Sequence, residues 1–305
     1  RIWPIIKPIM PIFSAKLRNH FKMPAILASF NRFLLLLLVQ FLLVPAALSQ
    51  FPQFSQPQLQ WLGDRIFQNE CNKQYQCLTS WNAGEDFPSL GIGHFIWYRE
   101  GQTEVFEETF PTLLETLRNA QYALPQWIEQ LDTADSPWQN REQFLADVNS
   151  PRMRELRQFL ANTMELQLAF IVQRLYASVP ELLLSVSDEQ REPVAASFYQ
   201  IANSHPPYGL YAVIDYVHFK GTGMAVRERY QGEGWGLLQV LLEMQLKQQG
   251  EAATLENFVD SAARVLERRV ANSPGDRQEQ RWIAGWKNRL LSYLPIDSPI
   301  GSPID

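Results

Sequence analysis

Glu70 closes an apolar stripe. In PQLQWLGDRIFQNE (57–70), Leu59, Leu62, Ile66 and Glu70 follow one another at steps of three, four and four, the spacing of one helix face. Burial penalises the charged form of a carboxyl, so an acid held among apolar neighbours can keep a proton at neutral pH and donate it to a leaving oxygen. Such chemistry needs a second group to stabilise positive charge or activate water. Glu85 and Asp86 are the only acids between Glu70 and the run Ser89-Leu90-Gly91-Ile92-Gly93-His94. Pattern alone reads Glu70 more readily as an ordinary exposed acid at a helix end.

A second stretch, KGTGMAVRERYQGEGWGLLQV (220–240), carries Tyr230, Glu233, Trp235 and Gln239 from a Gly-rich segment into a helix. Aromatic faces and amides suit one wall of a glycan cleft, with Glu233 as a reserve acid. A helix start with Trp235 in the core is an equal reading. Other chemistries drop out, since the chain has no G-x-S-x-G elbow, no H-E-x-x-H helix and no G-x-x-x-x-G-K-[ST] loop. Gly221-Thr222-Gly223 lacks the third glycine of a dinucleotide turn.

The elements that must hold these residues are mostly helical. Apolar spacing of three to four predicts helices around 57–70, 137–148, 151–178, 188–202, 208–219, 235–249, 255–271 and 276–293, with proline-led starts at Phe110-Pro111, Ser136-Pro137 and Ser150-Pro151. SLGIGHFIWY (89–98) leans to strand, and REGQ (99–102) followed by residues 103–106 suggests a small hairpin. The expected fold is α+β and mostly α-helical, one domain over 50–295, with a β-hairpin next to the end of the helix carrying Glu70.

At this point the sequence resembles a family. A helix-end Glu, an acidic loop and Ser89-Leu90-Gly91-Ile92-Gly93-His94 look like the catalytic region of phage-type lysozymes, in which T-x-G-I-G-H follows the catalytic glutamate. The match covers roughly residues 60–100, and G-I-G-H is its most specific part. Ala262–Val270 and Arg277–Tyr293, joined by Ser-Pro-Gly-Asp, resemble the closing helix pair of those enzymes, whereas residues 105–255 do not align. GLLQ (236–239) faintly resembles the G-L-M-Q of lytic transglycosylases.

The resemblance implies a lysozyme-like fold and cleavage of peptidoglycan or a related glycan, with Glu70 as the acid. Glu85 or Asp86 would be the second carboxylate, although the family's loop acid lies further ahead of its G-I-G-H. Ser89 stands where the family has a water-holding Thr, and its hydroxyl is retained. Gly91 and Gly93 would let backbone approach substrate, and His94 would be structural. Should no water be held opposite the acid, attack by a sugar hydroxyl makes the enzyme a lytic transglycosylase. A non-catalytic glycan-binding envelope scaffold is the rival from another class.

Charge and composition bound the rest. Residues 1–49 hold Arg1, Lys7, Lys16, Arg18, Lys22 and Arg32 and no acid, so the body is markedly acidic in a chain with 27 Lys+Arg against 32 Asp+Glu. An acidic body is a poor match for phosphates, which excludes nucleic acid as a partner. Phe33–Val44 is an apolar run shorter than the roughly 20 residues of a membrane span. Flanked by Arg32 and by Pro45–Ser49, it reads as the core of a signal peptide over 23–49 that is cut after Ser49, giving an exported protein, periplasmic or secreted, without a stable span. Residues 1–22 read as an upstream extension and 296–305 as a frayed tail. Export would oxidise the only cysteines, Cys71 and Cys77, to a disulfide; two buried free thiols are the alternative. Two Cys with His94, His205 and His218 scattered do not make a four-ligand zinc set, so no metal or cofactor is expected.

Overall fold

The computed structural model describes residues 55–104, 106–246 and 253–295. The expected signal peptide, the upstream extension and the tail lie outside these residues. Among the described residues no helix is long and apolar enough to cross a membrane.

The first helix, α1 (Gln56–Cys71), starts where the Gln58 side chain accepts the Ser55 N–H at 2.9 Å, with Pro57 in its first turn. It ends at Asn72, whose φ of 47° breaks the helical path. A 3₁₀ turn (Tyr75–Leu78) leads into a three-stranded antiparallel sheet, β1 (Thr79–Ser80), β2 (Ser89–Leu90) and β3 (Phe95–Ile96), in the order β1-β2-β3. Thr79 faces Leu90, and Leu90 faces Phe95.

This corrects the expected hairpin. The run 89–98 is not one strand paired with 103–106; it folds back on itself within Gly91–His94. Gly91 at φ +69° and His94 at φ +48° turn the chain there, and the strand preceding the acidic loop supplies the third partner. Thr103 and Glu104 stay outside any strand.

Helices follow: α2 (Phe110–Asn119), the single turn α3 (Gln126–Glu129), α4 (Arg141–Asp147), α5 (Pro151–Asn162), α6 (Met164–Leu184), α7 (Asp188–Ala202) and α8 (Tyr208–Lys220). Ser150 and Asn140 cap α5 and α4 by accepting Met153 and Gln143 N–H groups. The Ser136-Pro137 start is therefore four residues early, because Ser136 N–H is bound to the Tyr98 carbonyl and Trp138 is packed in the core. The long helix expected over 151–178 breaks at Thr163, whose hydroxyl donates back to the Phe159 carbonyl.

A second antiparallel hairpin, β4 (Arg229–Tyr230) with β5 (Glu233–Gly234), precedes α9 (Leu237–Gln245), α10 (Leu255–Asn272) and α11 (Ile283–Leu291). One continuous core runs from Leu62 and Ile66 of α1 through Leu90, Ile92 and Trp97 to Tyr211, Phe258 and Tyr293. The molecule is thus mostly helical with small antiparallel sheets.

Candidate functional site

Glu70 sits on the last turn of α1 with its side chain 19% exposed, and the end of the chain secures it. Its Oε1 accepts a hydrogen bond from Arg289 Nη2 of α11 at 2.8 Å, and its Oε2 accepts none from the described residues. Arg289 is shared. Its Nε and Nη2 also donate to the two carboxylate oxygens of Asp215, at 2.8 and 2.7 Å.

Asp215 lies almost fully buried on helix α8 and accepts from Tyr293 OH at 2.6 Å and from Asn69 Nδ2 at 2.8 Å. A buried charge survives only when its lone pairs are occupied, and here four donor contacts occupy them. Burial would lower the Arg289 pKa, but the hydrogen bonds and charge of Asp215 push it well up. Burial and the Asp215 charge together raise Tyr293 far above the ordinary phenol range. Asn69 also donates to Tyr211 OH at 2.6 Å, which fixes the residue preceding Glu70.

A disulfide between Cys71 and Cys77, with Cα atoms 5.3 Å apart, closes the loop that leaves α1. It ties the helix end to the 3₁₀ turn that leads into the sheet carrying the G-I-G-H turn. That turn is held by a residue with no local sequence signal: Gln167 of α6 is fully buried and accepts the Ile92 N–H at 2.9 Å. Its amide nitrogen donates to the Leu160 carbonyl and to Thr163 Oγ1.

The two glycines answer to this packing. A Cβ on Gly91 would run into the Gln167 carboxamide, and one on Gly93 would run into the Phe95 ring. Gly91 is buried and serves the turn, which corrects its assignment to substrate approach, whereas Gly93 borders a cavity.

That cavity, of about 320 Å³, lies between the hairpin and helices α6 and α8. Phe95, Ile96, Phe106, Ile171, Leu175, Ile214 and Val217 give it apolar walls, and His94, His218, Thr109, Ser178 and the Glu107–Arg174 pair supply polar groups. Arg174 grips Glu107 through two hydrogen bonds of 3.0 and 2.7 Å, which hold that carboxyl below its usual range against the opposing effect of burial.

His218 is exposed where it lines the cavity. Desolvation of its ring by the groups around it lowers its pKa, and His94 and Arg289 add to the effect; Glu70 and Asp215 oppose it without reversing it. Neutral at physiological pH, its imidazole offers a hydrogen-bond acceptor to whatever fills the cavity, within the field of Glu70.

The loop acids stand apart from this arrangement. Asp86 is exposed, and half-buried Glu85 accepts from Asn82 Nδ2 at 3.1 Å; neither pairs with the Arg289 network, and none of Glu70, Glu85 and Asp86 lines the cavity. Ser89 is 4% exposed, so its hydroxyl is enclosed rather than presented to a cleft. The disulfide turns its sulfurs toward a ring nitrogen of His94, the three atoms lying within 4.8 Å of one another.

Of the two readings of the second stretch, the packing fits the one with Trp235 in the core. Trp235 is buried, with Tyr230 against it at 4.5 Å between ring centroids and the Arg269 guanidinium 4.1 Å above it. Tyr230 OH and Arg269 both donate to Glu279. Gln239 accepts the Gly236 N–H and donates to the Gly223 carbonyl, so its amide closes the Gly-rich segment on itself. Glu233 is exposed at the hairpin.

No family model matches the chain, and neither the curated proteins nor the solved structures include one similar to it.

Proposed function

We propose that the protein is a glycoside hydrolase of lysozyme-like character, acting on peptidoglycan or a related glycan with Glu70 as the general acid. The observation that carries this reading is the Glu70 carboxyl itself. One oxygen is fixed by Arg289 and the other accepts no hydrogen bond from the described residues, at a helix end tied by a disulfide to the 3₁₀ turn that leads into the small sheet. The Gly91–His94 turn of that sheet borders an apolar-walled cavity that Glu70 itself does not line. Positioning of this kind suits a group that must meet a glycosidic oxygen in one geometry.

Apolar walls with a few polar groups suit pyranose rings, whose CH faces pack on side chains while their hydroxyls find His218, Thr109 or Ser178. Export to the periplasm or beyond, through the apolar segment at 33–44, would bring the protein to its glycan.

A second reading, a lytic transglycosylase, is favoured by one observation. Ser89 is enclosed and both loop acids are off the cavity, which leaves no assigned group to hold a hydrolytic water opposite Glu70. Digestion of purified peptidoglycan followed by mass analysis of the soluble products tests both. Reducing ends support the hydrolase, anhydro-sugar ends support the transglycosylase, and binding without release replaces both with a non-catalytic scaffold.

A further inference from the structure

His94 Nε2 is buried and has no hydrogen-bond partner among the described residues. A buried polar atom left in that state calls for a physical reason, because its desolvation is uncompensated. On the same side of the fold, a ring nitrogen of His94 and the sulfurs of Cys71 and Cys77 lie within 4.8 Å of one another. His94 is held there firmly, by the left-handed turn at its own backbone and by the Gln167 clamp on Ile92.

Two thiolates and an imidazole form a soft donor set that selects zinc-like cations, and three protein donors plus one open position is a stable zinc arrangement. While the sulfurs are bonded to each other they carry no ligand charge. Reduction changes that. A phosphine reductant takes the two sulfurs apart, its phosphorus taking oxygen from water while each sulfur receives a proton. A cation that binds then displaces both thiol protons to solvent.

Zn–S bonds of about 2.3 Å in a tetrahedral set require sulfurs about 3.7 Å apart, within reach of side-chain rotation from cysteines whose Cα atoms are 5.3 Å apart. We propose that Cys71, Cys77 and His94 form a redox-gated site for a thiophilic divalent cation, closed by the disulfide and opened by its reduction. The set has three protein ligands, one fewer than a closed four-ligand zinc site. The proposal stands independently of any glycan activity, although the site abuts the helix end that carries Glu70: Cys77 Sγ lies 3.4 Å from the Glu70 carbonyl oxygen.

The test uses the full chain, reduced with a phosphine that is then removed, with two free thiols confirmed by alkylation and mass. Titration with Co²⁺ is expected to give thiolate-to-metal absorption that saturates at one equivalent and is displaced by Zn²⁺, while the oxidised chain gives none. Cys77→Ser should abolish the band. His94→Ala should weaken Zn²⁺ binding by at least the about 10–100-fold that losing even an outer-shell partner costs. If the reduced chain loses its cooperative melt, Zn²⁺ must restore it. Absence of binding by the thiol form, failure of Zn²⁺ to restore a lost melt, or equal affinity in His94→Ala would each overturn the proposal.

Discussion

The two hairpins of this protein are built from similar materials, glycines, aromatics and carboxylates, and treat them in opposite ways. Around β4 and β5 the polar side chains, exposed Glu233 apart, bond within the framework. Tyr230 and Arg269 donate to Glu279, and Gln239 bridges Gly223 and Gly236. Around β2 and β3 several valences stay open: Glu70 Oε2, the His94 Nε2 atom, and the His218 ring facing a cavity. A satisfied network rigidifies and specifies, whereas polar atoms left open, as His94 Nε2 is in burial, are available to a ligand. The contrast separates framework from candidate site where residue types alone do not.

The largest effect that would break this contrast is on turnover. Glu70→Gln should lower glycan cleavage by about 10²–10⁴, because the amide keeps the shape and the Arg289 contact but has no proton to give. Its cost in stability should be only about 1 kcal/mol, since Arg289 keeps Asp215 as partner. Rates measured beside Glu233→Gln, which should retain wild-type turnover, would reverse the assignment of the two hairpins if the pattern were inverted.

Next in size is Asp215→Ala. It leaves the Arg289 guanidinium without its main counter-charge and Tyr293 OH without an acceptor, and should cost about 3–5 kcal/mol in chemical denaturation. A loss below about 1 kcal/mol would mean that the network beneath Glu70 does not hold it.

In the second region, Lys220 is buried with Nζ 3.3 Å from the Trp286 ring centroid. The ring attracts the ammonium, yet burial, with repulsion from Arg269, prevails over it and over Glu279, and pushes the pKa down to about 6. Because the unfolded chain binds this proton up to about pH 10 and the folded chain releases it near 6, stability rises with pH across that interval. Lys220→Met should therefore raise the melting temperature at pH 7 by on the order of 5 °C, with the gain shrinking toward pH 10. A gain that grows with pH would contradict the assigned direction.

The smallest effect is expected from Tyr230→Phe, about 1 kcal/mol of stability from one lost hydrogen bond to Glu279, with unchanged glycan affinity by sedimentation assay. A fall in affinity would return this hairpin to the binding surface.

The helix carrying Glu70 was legible because its stripe repeats at helical spacing, as were α7, α8 and α10, whose bounds fall within a residue of those predicted. The turn at Ser89–His94 was legible from its glycines, but its pairing was not: strand propensity running on to Tyr98 pointed past it to 103–106, whereas Ser89–Leu90 pairs with Phe95–Ile96. β4 and β5 are two residues each, too short for alternation to register.

Asp215 left a signal that went unread: it is the one acid in YGLYAVIDYVHFK, where a charge among apolar residues must have a partner. Arg289 and Gln167 left none. Nothing local to an arginine or a glutamine announces a contact more than seventy residues away.

The ion pair between Glu70 and Arg289 spans 219 residues of sequence. During synthesis the helix bearing the acid emerges early, while the guanidinium that orients it leaves the ribosome only after α10 has followed. Closing so long a loop is entropically slow and comes late in folding. A nascent or C-terminally truncated chain therefore carries the Glu70 carboxyl without its holder, and under the proposed role of that carboxyl, assembly itself would act as the safety catch.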